Sequence, residues 1–233
     1  MLGIGCFALA VLAPTSRAGS LTFGDLALGE TNAFPFAGIY FDSFEATRYQ
    51  QVYAGTQFGA GLFAISSVTF FNGSIPSNLA NGTYLISLST TTAAVGALNS
   101  NMADNVGADS QVIFDGSLVP TLAANAPLTF TLSTPFDYNP AGGNLLLDIQ
   151  ISGVTDATSA QFASENGGFV TSSRMVNGLA TGTTGFGLVT QFVFNGSAVP
   201  EPGTLGMATI GVVGVALFHR RRRRSRGTRR CST

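Results

Sequence analysis

Leu145-Leu146-Leu147-Asp148-Ile149-Gln150-Ile151 reads as a β-strand. Leu145, Leu147, Ile149 and Ile151 fall on one side and Leu146, Asp148 and Gln150 on the other, the period of two that a strand imposes. The rhythm recurs along the chain. Leu128, Phe130 and Leu132 alternate with Thr129 and Thr131, and Tyr84, Ile86 and Leu88 share a face. Val68 and Phe70 mark a strand within Ile65 to Phe71, and Phe186, Leu188, Phe192 and Phe194 mark the last one. Turn signals separate these runs: Asn72-Gly73, Asn81-Gly82, Asp115-Gly116, Asn177-Gly178 and Asn195-Gly196. No amphipathic stretch of helical period breaks the series. The pattern predicts an all-β fold, an antiparallel β-sandwich of eight to ten strands, jelly-roll-like, with a barrel as the alternative. The Ala/Thr/Ser/Asn-rich region from Thr90 to Asp109 reads as a long loop.

Two apolar ends bracket this segment. Met1 to Ala13 is apolar, Pro14 breaks it, and Ser16-Arg17-Ala18 offers small residues at the −3 and −1 positions of a signal-peptidase site. Residues 1–18 are therefore expected to be a signal peptide, cut between Ala18 and Gly19. Nothing basic precedes Leu2, which points to a true start codon upstream. The domain is expected over 19–198. At the other end Thr204 to Phe218 carries no charge, and as a helix it spans roughly 22 Å against a bilayer core of about 30 Å. Flanking arginines that snorkel allow so short a segment to cross. Arg220, Arg221, Arg222, Arg223 and Arg224 follow at once, and a basic cluster there holds the C-terminus in the cytoplasm. Residues 225–233 continue it as a cytoplasmic Arg-rich tail.

Composition excludes much chemistry. Both cysteines, Cys6 and Cys231, lie outside the domain, the single histidine is His219, and lysine and tryptophan are absent. A histidine-dependent nucleophile system, a zinc site of His and Cys ligands and a lysine Schiff base therefore have no residues to form from. From Gly19 to Val199, eleven carboxylates face only Arg48 and Arg174, a net charge of about −9 that the basic tail hides in the whole-chain total of −1. Such a domain is not expected to bind nucleic acid.

The tail carries a resemblance. Pro200-Glu201-Pro202, a Gly-rich apolar helix over 204–218 and a terminal arginine cluster resemble, over 199–224, the PEP-CTERM sorting signal of Gram-negative bacteria. The segment is also called an "ice-binding protein C-terminal domain", a label that implies no ice binding. The resemblance implies recognition by exosortase, a membrane-embedded cysteine protease-like enzyme, with Pro200, Glu201 and Pro202 as substrate and a cut close to them. It also implies export through the inner membrane, transient anchoring there, and a final place at the cell surface or in an exopolysaccharide or biofilm matrix. Two stretches, Thr47-Arg48-Tyr49-Gln50-Gln51-Val52-Tyr53 and Phe136 to Ile149, are similar to sandwich domains of proteins with this tail and imply a shared fold only.

Within the domain the candidate sites are few. Arg48 beside Tyr49 and Tyr53 forms a possible ligand edge where a sugar stacks on tyrosine. The competing structural reading pairs Arg48 with Asp42 or Glu45. Asp137, Asn139, Asn144 and Asp148 are oxygen donors of the kind calcium takes, but their spacing fits a turn over Asn139-Pro140-Ala141-Gly142 better. Asp104, Asp109 and Asp115 read as loop carboxylates. Asn72-Gly73-Ser74, Asn81-Gly82-Thr83 and Asn195-Gly196-Ser197 match the N-glycosylation pattern and read as turns. Phe34 and Phe36 beside Pro35 are candidates for an exposed patch. The expected function is that of an exported structural protein, with no enzyme activity, cofactor or metal. A surface carbohydrate-binding module is the alternative, and a glycoside hydrolase built on carboxylates alone is a third reading.

Overall fold

The computed structural model describes residues 18–29, 31–38, 48–156, 158–165, 171–177 and 187–196. Among them the alternating runs become strands: β1 (Ala18–Phe23), β2 (Thr31–Asn32), β3 (Arg48–Tyr53), β4 (Phe63–Phe71), β5 (Ser77–Asn78), β6 (Thr83–Thr91) and β7 (Gln111–Ser117). β8 (Thr121–Leu122), β9 (Pro127–Tyr138), β10 (Asn144–Ser152), β11 (Phe162–Ala163), β12 (Ser172–Val176) and β13 (Thr190–Gly196) complete the series. Among the described residues helical structure is limited to short 3-10 turns. Every strand pairing is antiparallel. No helix among the described residues is long and apolar enough to cross a membrane. Of the segments expected to enter the membrane, the signal peptide 1–18 is described only at Ala18, and 204–218 lies outside the described residues.

Two sheets carry the fold. One has the order β1-β13-β4-β9 and the other β12-β3-β10-β6-β7, while β11-β2 and β5-β8 form small ribbons. Leaving β12 aside, the eight long strands are, in chain order, β1, β3, β4, β6, β7, β9, β10 and β13. The first, eighth, third and sixth of them form one sheet, and the second, seventh, fourth and fifth the other. That interleaving is the two-Greek-key order of a jelly roll. β12 adds a fifth strand beside β3.

The sheets pack face to face through aromatic rings. Phe23 of β1 and Phe192 of β13 meet Tyr53 of β3 at centroid distances of 4.8 and 4.9 Å, both edge to face. Phe58 lies 4.8 Å from Tyr138 of β9. At the opposite side Phe114 of β7 meets Phe130 of β9 at 5.0 Å, and Gln111 Nε2 donates to Thr134 O at 2.7 Å, closing the seam between the two edge strands. Phe36, expected in an exposed patch, is fully buried against Phe70 and Phe162, and Phe34 packs partly buried against the same core. The apolar drive of two rings beside a proline is met inside the sandwich.

The alternation of Leu145 to Ile151 is modified. Leu146 and Asp148 are buried as fully as Leu145, Leu147 and Ile149, and only Gln150 remains exposed on their side. The cause is the segment 92–110, which folds across the outer face of the five-stranded sheet. It is held by Asn144 Nδ2 on Ala93 O (2.8 Å), Gly96 N on Ser173 Oγ (2.7 Å), Gln50 Nε2 on Met102 O (2.8 Å) and Gly107 N on Ser89 Oγ (3.1 Å). Two turn signals are overruled as well. Asp115-Gly116 lies inside β7, opposite Leu85 and Tyr84, and Asn195-Gly196 lies inside β13, opposite Ala64 and Phe63. Asn177 does turn the chain, in the left-handed region at φ 47°.

Phe192→Ala removes a ring that touches Phe23, Tyr53 and Phe58 across both sheets. The expected loss is about 3–5 kcal/mol of unfolding free energy, read from chemical denaturation of the 19–198 domain.

Candidate functional site

β3 projects chemistry in two directions. It is an interior strand, with Tyr49 opposite Ile149 of β10 on one side and Val176 of β12 on the other. Period two sends Arg48, Gln50 and Val52 to the outer face and Tyr49, Gln51 and Tyr53 into the sandwich.

On the outer face Arg48 grips Asp148 with two parallel hydrogen bonds, Nε to Oδ1 at 2.8 Å and Nη2 to Oδ2 at 2.7 Å. Such a fork combines two charge-assisted hydrogen bonds, each roughly twice as strong as a neutral one. Asp148 is 3% exposed and Arg48 22% exposed, so the carboxylate is inside and the guanidinium at the rim. Gln50 Nε2 also donates to Asp148 Oδ1 (3.2 Å), and Asn105 Nδ2 donates to Gln50 Oε1 (2.8 Å). The structural reading of Arg48 holds with a different acid, from a strand 100 residues away. Asp42 and Glu45 lie outside the described residues.

On the inner face the sugar-stacking edge is overturned. Tyr49 and Tyr53 are 1% and 0% exposed, so neither ring face is available. Their position in an interior strand is the reason. Tyr49 donates its hydroxyl to Gln51 Oε1 at 2.5 Å, and Tyr53 donates to Thr190 Oγ1 at 2.9 Å. Burial pushes the Tyr49 hydroxyl up to about 12, against the lowering effect of the Arg174 guanidinium and the Leu188 amide, and burial holds the Tyr53 hydroxyl well above its ordinary value. Both phenols therefore stay protonated and serve as donors. Gln51 accepts from Leu188 N and donates to Leu188 O, both at 2.9 Å, pairing with that residue's backbone as a neighbouring strand would.

A groove of about 380 Å³ opens beside Arg48, lined by Thr83, Leu85, Asp115, Gln150, Ile151 and Ser152. Registers place Arg48, Gln150, Leu85 and Asp115 in one row across four strands. At about 4.8 Å per strand the row is roughly 14 Å long. Sequence reasoning missed this row because its members are distant in the chain.

The remaining candidates are scattered. Asn139 caps a 3-10 turn at Pro140–Gly142 by accepting from Ala141 N (3.1 Å), as the turn reading expects, while Asn144 holds Gly55 N and Ala93 O and Asp148 holds Arg48. Asp104 accepts from the Asn101 side chain (2.9 Å) and Asp109 from Thr90 N (2.8 Å). Asn72 is buried, with Nδ2 donating to the carbonyls of Ile75 and Ala123 at 3.0 and 2.7 Å, so its amide is structural. Glu165 carries a buried Oε2 with no hydrogen-bond partner among the described residues. Desolvation, then the nearby Asp25 carboxylate, raises its carboxyl above the ordinary 4.5.

The first strand pairs with the last. Ala18 and Gly19 lie in β1, opposite Asn195 and Phe194 of the last strand. The expected sorting residues Pro200, Glu201 and Pro202 and the arginines Arg220, Arg221, Arg222, Arg223 and Arg224 lie outside the described residues. A family model does cover that segment: residues 198–223 match the PEP-CTERM protein-sorting motif. No curated protein and no solved structure matches this chain.

Arg48→Met should destabilise the domain by about 3 kcal/mol, because it strands a buried carboxylate; pairing it with Asp148→Leu should recover most of that loss in a double-mutant cycle. Glu165 yields a pH signature. A raised carboxyl adds stability below its ordinary value, and that contribution disappears as pH rises through the raised one. Glu165→Gln should therefore be more stable than the parent at pH 7, with the gain shrinking as pH falls toward 4.5 in a denaturation series.

Proposed function

We propose that this chain is an exported structural protein of the cell surface or of an exopolysaccharide matrix, delivered by its C-terminal sorting signal and processed by exosortase. The observation that carries this reading is the sorting motif matched over residues 198–223. In this reading the N-terminal segment opens export and is removed by signal peptidase. The apolar run 204–218 then stops in the inner membrane, and Arg220 to Arg224 hold its end on the cytoplasmic side. Pro200, Glu201 and Pro202 are presented to exosortase as an extended segment, since proline fixes φ and supplies no amide donor. The domain released is a rigid, acidic sandwich whose buried groups serve packing. Its role is non-catalytic, which the absence of histidine, lysine and cysteine from 19–198 supports.

A second reading is favoured by the groove beside Arg48. Arg48, Gln150 and Asp115 are planar groups suited to vicinal hydroxyls, Thr83 and Ser152 add hydroxyls, and Leu85 is an apolar member of the row. That combination suits a neutral polysaccharide, with polar edges and an apolar ring face, better than an anionic one, given the charge of the domain.

Intact-mass measurement of the secreted form tests the first reading. Both ends should be trimmed, with the new C-terminus near Pro200, and Pro200→Ala with Glu201→Ala should leave the tail attached. A full-length product inside the cell rejects it. For the second reading, a glycan array should show binding that Gln150→Ala and Asp115→Ala each weaken about tenfold, the loss of roughly 1.4 kcal/mol per contact. A parent protein that binds no glycan removes the groove from consideration.

A further inference from the structure

We propose that pairing of the first strand with the last fixes the order of processing: the N-terminal cut must come first, because closure of β1 onto β13 then shuts its site. The proposal rests on the export reading above.

The expected signal-peptidase bond, Ala18–Gly19, lies within β1, with Ala18 opposite Asn195 and Gly19 opposite Phe194. Gly19 is also partly covered. A Cβ placed on it would stand 2.7 Å from Cε2 of the Phe194 ring, and that ring packs edge to face on Phe63 at 5.0 Å. Four residues on, Phe23 is buried between Tyr53, Phe58 and Phe192 and anchors the strand. Peptides are commonly recognised as extended strands whose backbone is free to pair with the partner. A bond already held in a ladder is reached only through local opening.

Chain order supplies the timing. The partner strand spans Thr190–Gly196 and follows every other strand in the chain, so the ladder cannot form until nearly all of the domain has been exported. Until then the Ala18–Gly19 bond is open. Its hydrolysis adds water across that bond, leaving a carboxylate on Ala18 and an amino group on Gly19, and β1 keeps five of its six residues. The C-terminal cut has no such deadline. The ladder ends at Gly196, the matched motif begins at residue 198, and Pro200 lies at most about 14 Å of extended chain beyond the sheet. The tail therefore stays open to cleavage after the domain has folded.

The test uses the full chain in a Gram-negative host with a reversible signal-peptidase inhibitor. Precursor should accumulate during the block and fold outside the inner membrane. After inhibitor washout it should be cut at least about tenfold more slowly than newly made chains, since only the opened fraction reacts. Two variants should restore cutting. Gly19→Ala keeps a small residue after the bond but crowds Phe194, and Phe23→Ala releases the anchor; proteinase K resistance of the remaining domain shows that each still folds. Parent precursor cut as fast as new chains after washout overturns the proposal. A block that accumulates no longer species overturns the export reading itself, and the proposal with it.

Discussion

A strand buried on both faces needs a partner for each polar side chain it carries, because an unpaired polar group removed from water costs free energy on the order of kcal/mol. β3 is under that constraint, and its consecutive glutamines meet it in opposite directions. Gln50 points outward and binds Met102 O, Asp148 and Asn105, while Gln51 points inward and binds both backbone groups of Leu188. Each amide thus fixes a non-regular segment to one face of the five-stranded sheet. Without Gln50 the segment over the outer face loses a central tie, and Asp148 loses a donor. Without Gln51 the approach to the last strand loses its register at Leu188.

The electrostatics follow from the same geometry. Asp148 can be buried because Arg48 supplies a two-point contact and Gln50 a third donor. Arg48 remains partly exposed because segment 92–110 covers the rows of Gln50 and Val52 and stops short of its own. The same boundary creates the open groove. The covered and open parts of one sheet face therefore differ in role: one stabilises, and the other is available to solvent and ligands.

The sheet scaffold was legible in the sequence wherever alternation was clean. Tyr84, Ile86 and Leu88, and Leu128, Phe130 and Leu132, face the core as their spacing requires. Arg48 to Tyr53 was not legible in this way. Both of its faces carry polar residues, so periodicity separates the two sets without saying which one the core takes. The Arg48–Asp148 pair depends on a register between strands 100 residues apart, which no local signal encodes. Asp148 stands on the polar side of the alternation, and nothing local marks it as buried. Asp115-Gly116 has the composition of a turn, yet pairing with β6 keeps it extended. The sorting tail is the reverse case: its meaning lies in linear order, and the sequence alone sufficed to find it.

The adjacency of β1 and β13 has a further use. A first strand that begins one strand spacing, about 4.8 Å, from where the last strand ends makes this sandwich suitable as a guest module. It could be spliced into a surface loop of a host protein without prising that loop apart, since domains with neighbouring termini tolerate insertion and circular permutation well. New ends could then be opened at an exposed connection such as Val119-Pro120, between β7 and β8.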